Sequence, residues 1–291
     1  MRKVKAAAIQ MSCVKDYNYN LKNAEKKVRE AAQNGAEIIL LPELFARQYF
    51  CQERRYDYYE YAEEADKALA VTHFMRVAKE LDVVILVSFY ERDINCLYNS
   101  EAIIDADGKL LGIYRKTHIP DDHYYQEKFY FKPGNTGFKV WHTKYADIGV
   151  GICWDQWFSE TARCLAVNGA ELIFYPTAIG SEPILGCDSS KHWQRCMQGH
   201  AAANIVPVIA ANRYGTEIVT PSEENGGQSS SLCFYGKSFI TDESGDIIAE
   251  APRDKDAVLI AEFDLDEIKK ARDDWGIFRD RRPEMYSDML K

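Results

Sequence analysis

Three residue types that together can support catalysis by a cysteine nucleophile stand at the ends of strand-like segments. Cys153 closes the apolar run Ile148-Gly149-Val150-Gly151-Ile152, Glu43 follows Leu40-Leu41-Pro42, and Lys116 follows Leu111-Gly112-Ile113-Tyr114-Arg115. In α/β chains the carboxyl ends of buried strands are where reactive groups collect. A thiol with the ordinary pKa of ~8.5 is mostly protonated at neutral pH, so it needs help to act as a nucleophile. A carboxylate such as Glu43 can take the thiol proton. A lysine such as Lys116 favours the thiolate and can steady an oxyanion together with backbone N–H groups after the cysteine. A helix beginning near Phe158 would add its positive end. Taken singly, each residue has a plainer explanation: a small buried hydrophobe, a solvated loop acid, an exposed lysine after a hairpin. The three in combination point to chemistry only through the sequence that surrounds them.

The elements that must hold them are readable from periodicity. Asn34-Gly35-Ala36-Glu37-Ile38-Ile39-Leu40-Leu41-Pro42-Glu43 nearly repeats in Asn168-Gly169-Ala170-Glu171-Leu172-Ile173-Phe174-Tyr175-Pro176-Thr177. In each copy Asn-Gly can stop a helix in the left-handed conformation, and a buried strand follows. The spacing predicts strand 5–11, helix 21–33 and strand 36–41 in one half, and strand 147–153, helix 158–168 and strand 171–176 in the other. A helix at 67–80 precedes an apolar strand at 82–89, and a helix at 189–203 precedes a strand at 206–212. Hairpins are expected at 98–116 and 238–250, turning at Asp107-Gly108 and Gly245-Asp246. The Glu-, Gly- and Ser-rich stretch 221–231 reads as an exposed loop, and 264–272 as a short helix.

Composition limits the partners. The chain has 291 residues, 46% hydrophobic and 28% charged, which suits one large domain spanning 1–291, or two small ones, with a substantial core. The net charge of −9 argues against nucleic acid or an anionic membrane as partner and agrees with a small cationic substrate. The basic first residues are followed by a short strand rather than a signal-peptide core, and no run reaches the ~18–20 apolar residues of a membrane span. The eight cysteines are scattered without a CxxC pair, which reads as reduced thiols in a cytoplasmic protein.

Three ordered motifs resemble the nitrilase superfamily of carbon–nitrogen hydrolases: Leu41-Pro42-Glu43, Tyr114-Arg115-Lys116-Thr117-His118-Ile119-Pro120, and Gly149-Val150-Gly151-Ile152-Cys153-Trp154-Asp155. The resemblance runs from about residue 5 to the end of the chain. It implies a four-layer α-β-β-α sandwich, agreeing with the internal repeat, and catalysis by Glu43, Lys116 and Cys153 without metal or organic cofactor. It also implies a second glutamate, Glu127, that orients the lysine or assists proton transfer. By the same resemblance the protein forms homo-oligomers built from dimers, with helix 189–203 and the tail 275–291 as contacts.

The segments Tyr125-Gln126-Glu127-Lys128-Phe129-Tyr130-Phe131, Cys153-Trp154-Asp155-Gln156-Trp157-Phe158 and Tyr175-Pro176-Thr177-Ala178-Ile179-Gly180-Ser181-Glu182-Pro183 are similar to the branch of the family that hydrolyses carbamoylated aliphatic diamines. Ser159, where that branch has proline, and the loop Asp121-Asp122-His123 depart from its pattern. Members that accept carbamoyl amino acids need a cation for the substrate carboxylate, yet no arginine follows Cys153 before Arg163. An ammonium needs carboxylates and aromatic faces. Glu182 ranks first for that task, with Asp122, Asp155, Trp154 and Tyr130 as further substrate-binding candidates. An aliphatic amidase, a nitrilase or a carbamoyl-β-alanine hydrolase is the alternative within the same chemistry. Outside it, His192, Cys196 and His200 share one helix face and would suggest a metal protein with Cys187 and His118 or His123; their spacing fits a packing stripe better. A non-catalytic scaffold is the remaining alternative, and the intact triad speaks against it.

Overall fold

The computed structural model describes residues 1–181 and 186–291. Its first half runs β1 (Lys3–Gln10), α1 (Tyr17–Gln33), β2 (Ile38–Leu40), α2 (Leu69–Leu81), β3 (Val84–Asp93), β4 (Cys96–Ile104) and β5 (Leu110–Arg115). The second runs β6 (Val140–His142), β7 (Asp147–Val150), α3 (Ser159–Val167), β8 (Leu172–Thr177), α4 (Ser190–Asn204), β9 (Val208–Asn212), β10 (Tyr214–Val219), β11 (Ser230–Tyr235), β12 (Phe239–Thr241) and β13 (Ile247–Glu250). β14 (Ala257–Asp264) and α5 (Leu265–Trp275) follow.

Two six-stranded sheets result, ordered β14-β1-β2-β3-β4-β5 and β13-β12-β9-β8-β7-β6. The halves match strand for strand. β1, β2 and β3 are parallel and then turn antiparallel through β4 and β5. β7, β8 and β9 are parallel and then turn antiparallel through β12 and β13. The repeated Asn-Gly stops are built alike. Ala36 N–H returns to Ala31 O and Gly35 N–H to Ala32 O, while Ala170 N–H returns to Leu165 O and Gly169 N–H to Ala166 O. Gly35 and Gly169 take φ of +87° and +100°, which a side chain would resist.

Strand alternation divides the core into layers. Ala6, Ala8, Ile38, Leu40, Val84 and Leu86 meet Ile148, Val150, Leu172, Phe174 and Ile209 between the sheets. The intervening residues Ala7, Ile9, Ile39 and Ile85 face Leu21, Val28, Val71 and Phe74 on α1 and α2. On the other side Ile173, Tyr175, Val208 and Ala210 face Leu165, Trp193 and Met197 on α3 and α4. The chain is therefore a helix–sheet–sheet–helix sandwich, each layer apolar because period-two strands bury both faces.

Several boundaries shift. Asp16 accepts from Tyr19 N–H and starts α1 a turn earlier than the periodicity predicts. β6, the hairpin β10–β11 and β14 escape the sequence reading. The stretch 221–231 is mostly exposed loop, as expected, but Asn225 within it is buried, its amide donating to Glu53 Oε2 at 2.7 Å, and Ser230 and Ser231 already belong to β11. After α5 the chain continues in short 3-10 turns, Pro283–Met285 and Ser287–Leu290, with no buried residue in either.

Candidate active site

The three reactive residues meet because their strands end at one edge. β5 runs antiparallel to β4, which runs antiparallel to β3, so β5 finishes at the same end of the sheet as β2, with β3 and β4 between them. Glu43 leaves β2 through Leu41-Pro42. Lys116 extends β5 by one step, its N–H donating to Asn99 O at 2.8 Å. Gly134 secures that step: its N–H donates to Lys116 O, and a Cβ on it would lie 2.0 Å from Arg115 O. No other residue fits there without moving the lysine.

Glu43, Lys116 and Glu127 form a fully buried ion cluster. Lys116 Nζ donates to Glu43 Oε1 at 2.7 Å and to Glu127 Oε1 and Oε2 at 2.9 and 2.7 Å. Burial alone would strip the lysine's proton, but Glu127 and Glu43 outweigh it and hold its pKa well above the ordinary value. Burial, with the charge of Glu43 added, pushes the Glu127 carboxyl up, while Lys116 opposes the shift. Asn99 Nδ2 donates to Glu43 Oε1 at 2.6 Å and the Tyr49 hydroxyl to Glu127 Oε1 at 2.6 Å. Glu43 Oε2 accepts no hydrogen bond among the described residues, which leaves it open to a proton. A buried lysine with this number of charge-assisted bonds is a rigid group, not the exposed residue that a position after a hairpin usually holds.

Cys153 differs from the expectation in its backbone. β7 ends at Val150, and the cysteine opens a 3-10 turn, Cys153–Trp157, at φ +58°. A residue with a Cβ held in this region stores strain of about 1–3 kcal/mol and is characteristic of functional turns. The thiol is 6% exposed, and burial and then Glu43 push its pKa well above the ordinary value, against Lys116 and a backbone hydrogen bond from Ala178. Burial and Glu43 both favour a resting thiol over a thiolate preformed by the lysine. The thiol proton must leave when substrate arrives.

A cavity of about 410 Å³ opens above the sulfur, lined by Asp121, Asp122, Tyr125, Glu127, Cys153, Trp154, Trp157, Ala178, Ile179 and His192 among others. Asp122 and Trp154 therefore lie where a substrate-binding residue should. Asp155 and Tyr130 do not. Asp155 is buried with Oδ1 accepting from the His118 N–H and ring and Oδ2 from the Tyr114 hydroxyl and Ile152 N–H. Every acceptor site is used inside the protein, tying the lysine segment to the cysteine turn. Tyr130 is buried among Phe50, Tyr59 and Phe129, its hydroxyl donating to Glu53 O at 2.7 Å. Glu182 lies outside the described residues. His200 Nε2 and Cys196 Sγ both turn to the Gln156 carbonyl, at 2.7 and 3.5 Å, and His192 packs on Trp157. Among the described residues no group of three or more His, Cys, Asp or Glu is placed to hold a metal.

Sequence reasoning passed over Asn99, Tyr49 and Tyr125. The signal for Asn99 was present: Asn99-Ser100-Glu101 is a polar run inside an otherwise buried strand, where such groups persist only with partners.

A sandwich of this topology with a glutamate, a lysine and a cysteine at three strand ends defines an amide-cleaving hydrolase. The carbon–nitrogen hydrolase family matches residues 5–273, and the chain belongs to that family. Among its relatives, an N-carbamoylputrescine amidase of Oryza sativa subsp. japonica is 54% identical over 99% of this chain and 95% of the relative. A citrullinase of Francisella tularensis subsp. tularensis is 51% identical over 100% of this chain and 99% of its own. The crystal structure of a carbon-nitrogen hydrolase from Helicobacter pylori G27 superimposes with a TM-score of 0.90 at 32% identity, covering 99% of both chains. No helix among the described residues is long and apolar enough to cross a membrane.

Proposed function

We propose that this hydrolase converts N-carbamoylputrescine to putrescine, carbon dioxide and ammonia, a step that yields a polyamine. The observation that carries the reading is the lining of the cavity above Cys153. Asp121 and Asp122 stand there with Trp154 and Trp157, and among the described lining residues there is no lysine or arginine. Such a wall receives a cation and rejects a carboxylate. Glu182 remains a further candidate for the ammonium. The relatives named N-carbamoylputrescine amidase support the same reading.

In the proposed reaction Glu43 Oε2 takes the thiol proton as Cys153 Sγ bonds to the carbamoyl carbon. Lys116 and the Trp154 backbone N–H stabilise the oxyanion. Two of the lysine's three contacts go to one carboxylate, so giving up one Glu127 contact frees an N–H for the developing charge. Glu43 returns its proton to the departing nitrogen, the carbon–nitrogen bond breaks, and a thiocarbamate remains on sulfur. Water loses a proton to Glu43, attacks the same carbon and expels the thiol, which regains that proton. The carbamic acid released falls apart to carbon dioxide and amine. Either nitrogen leaving first gives the same balance of one water consumed.

One observation favours a second reading. Asp121 and Asp122 also line an adjoining cavity that contains Arg54, and one relative is a citrullinase. A citrulline-type substrate would place its amino group at the aspartates and its carboxylate at Arg54. The test is kcat/KM for N-carbamoylputrescine, citrulline and N-carbamoyl-β-alanine. We expect the amine to lead by about 10²-fold. Preference for citrulline would transfer the assignment to Arg54, and preference for the β-alanine compound would defeat the cationic pocket. The oligomer built from dimers is proposed on the exposed Trp275, Met285, Met289 and Leu290 of the tail; a monomeric mass in light scattering would refute it.

A further inference from the structure

The loop that carries Glu43 is anchored from the other half of the chain. We infer that Arg213 is a positioning residue for the reaction, one guanidinium setting both the Glu43 base and the Lys116–Glu127 pair. The inference rests on the roles proposed above for Glu43 and Lys116.

Arg213 directly follows β9 and is fully buried. Its Nη2 donates to Glu43 O at 2.7 Å and to Leu44 O at 3.0 Å. Its Nη1 donates to Glu217 Oε1 at 2.8 Å and to Arg47 O at 3.2 Å. In an extended chain consecutive carbonyls point to opposite sides. Leu44 takes φ +48°, and that left-handed step turns the carbonyls of Glu43 and Leu44 toward one cation. A leucine resists such a conformation unless its surroundings impose it. Here the guanidinium imposes it from one side and Ser88 Oγ, accepting from Leu44 N–H at 2.9 Å, from the other.

The second arm is a relay of short bonds. Glu217 Oε2 accepts from Tyr49 N–H at 2.5 Å. The Tyr49 hydroxyl donates to Glu127 Oε1, the oxygen that also accepts from Lys116. Arg213 lies 5.7 Å from the Tyr49 ring centroid, so the residue that bonds Glu127 is held at both backbone and ring. Four hydrogen bonds from one rigid fork thus fix the base and the lysine's partner in a common frame. Glu127 belongs to both this frame and the cavity wall, but Asp121, Asp122, Trp154 and Trp157, which would hold the amine, lie outside the frame.

A buried ion pair that served stability alone would move the melting temperature and leave the folded enzyme's turnover intact. A positioning residue lowers kcat at constant KM, because small displacements of a reacting group cost about 10²-fold in rate. Arg213→Lys keeps the charge and loses the fork. We expect kcat per folded molecule to fall by about 10²-fold with KM for N-carbamoylputrescine unchanged. Parent kcat with only a lowered melting temperature would overturn the inference. Should Arg213→Lys not fold, Glu217→Gln carries the test: reduced kcat at constant KM supports the inference, and parent kcat defeats it. Glu43→Gln is run alongside. If that variant keeps its turnover, the base assignment fails; if it is inactive while the Arg213 and Glu217 variants keep parent kcat, the positioning inference alone fails.

Discussion

The two halves of the chain share a backbone plan and divide the chemistry. The chain through β2 and the chain through β8 each reach an apolar pair and a proline after the same Asn-Gly-Ala-Glu stop, yet the residue after the proline is Glu43 in one and Thr177 in the other. Both are buried, but Glu43 bonds Lys116 and Asn99 and keeps Oε2 without a partner among the described residues, whereas the Thr177 hydroxyl donates to Gln156 Oε1 at 3.3 Å. β1 and β7 differ in the opposite sense. Ala6 pairs with Ile38 and Ile148 with Leu172, which puts buried Met11 at the register position of Cys153. The charged partners thus come from the first half, and the sulfur with most of the apolar cavity wall comes from the second. A duplicated frame supplies two sets of strand ends, and function needs only one of each set to change.

The division can be broken from the strongest link downward. Cys153→Ala should abolish hydrolysis, with a loss of about 10⁴-fold or more, while leaving the circular dichroism spectrum intact. Residual turnover near the parent rate would remove the sulfur from the reaction. Lys116→Met should follow, lowering kcat by about 10³-fold. It leaves Glu43 and Glu127 buried without their shared cation, so stability should fall by about 3–5 kcal/mol in denaturant unfolding. Gly134→Ala sits outside the charged cluster but pushes on the backbone of Arg115 and Lys116. A loss of about 1–3 kcal/mol and a reduced kcat are expected. Thr177→Val, the counterpart of Glu43, should cost only about 1 kcal/mol and leave turnover nearly untouched. Equal damage from Thr177→Val and Glu43→Gln would erase the distinction between the halves.

Glu43→Gln sharpens the same comparison through pH. The charge of Glu43 raises the Cys153 pKa, so a neutral glutamine must lower it. The variant should lose turnover while its thiolate forms at lower pH. Iodoacetamide alkylation of Cys153, followed by mass spectrometry across pH, reads this directly. An upward or unchanged midpoint would mean that the carboxylate does not face the sulfur.

The strand ends bearing Glu43, Lys116 and Cys153 are legible in the sequence because an apolar run precedes each of them and the Asn-Gly stops fix the frame. The burial of Lys116 is not legible, since its compensating charges sit at residues 43 and 127, brought close only by the sheet. Asp155 misleads for a different reason. An acid two residues after a nucleophile reads the same whether it meets substrate or protein, and the turn that aims Cys153 outward aims Asp155 inward. Tyr130 is one of three consecutive aromatics, and nothing local says which faces the cavity. The hairpin β10–β11 is hidden because its connecting stretch looks like solvent-exposed loop, although Asn225 and Gln228 bond into the segment 53–54.

The pairing of β1 with β14, from Lys3 opposite Asp264 to Gln10 opposite Ala257, bears on how the protein is made. β1 leaves the ribosome long before its edge partner β14 is made. Until residues 257–264 appear, the nascent first sheet carries an open parallel edge, a template for any other extended chain nearby. Contacts this distant along the chain also slow folding. Closure of the first sheet therefore waits for β14, and at about 5–20 residues per second of synthesis that exposure lasts on the order of tens of seconds.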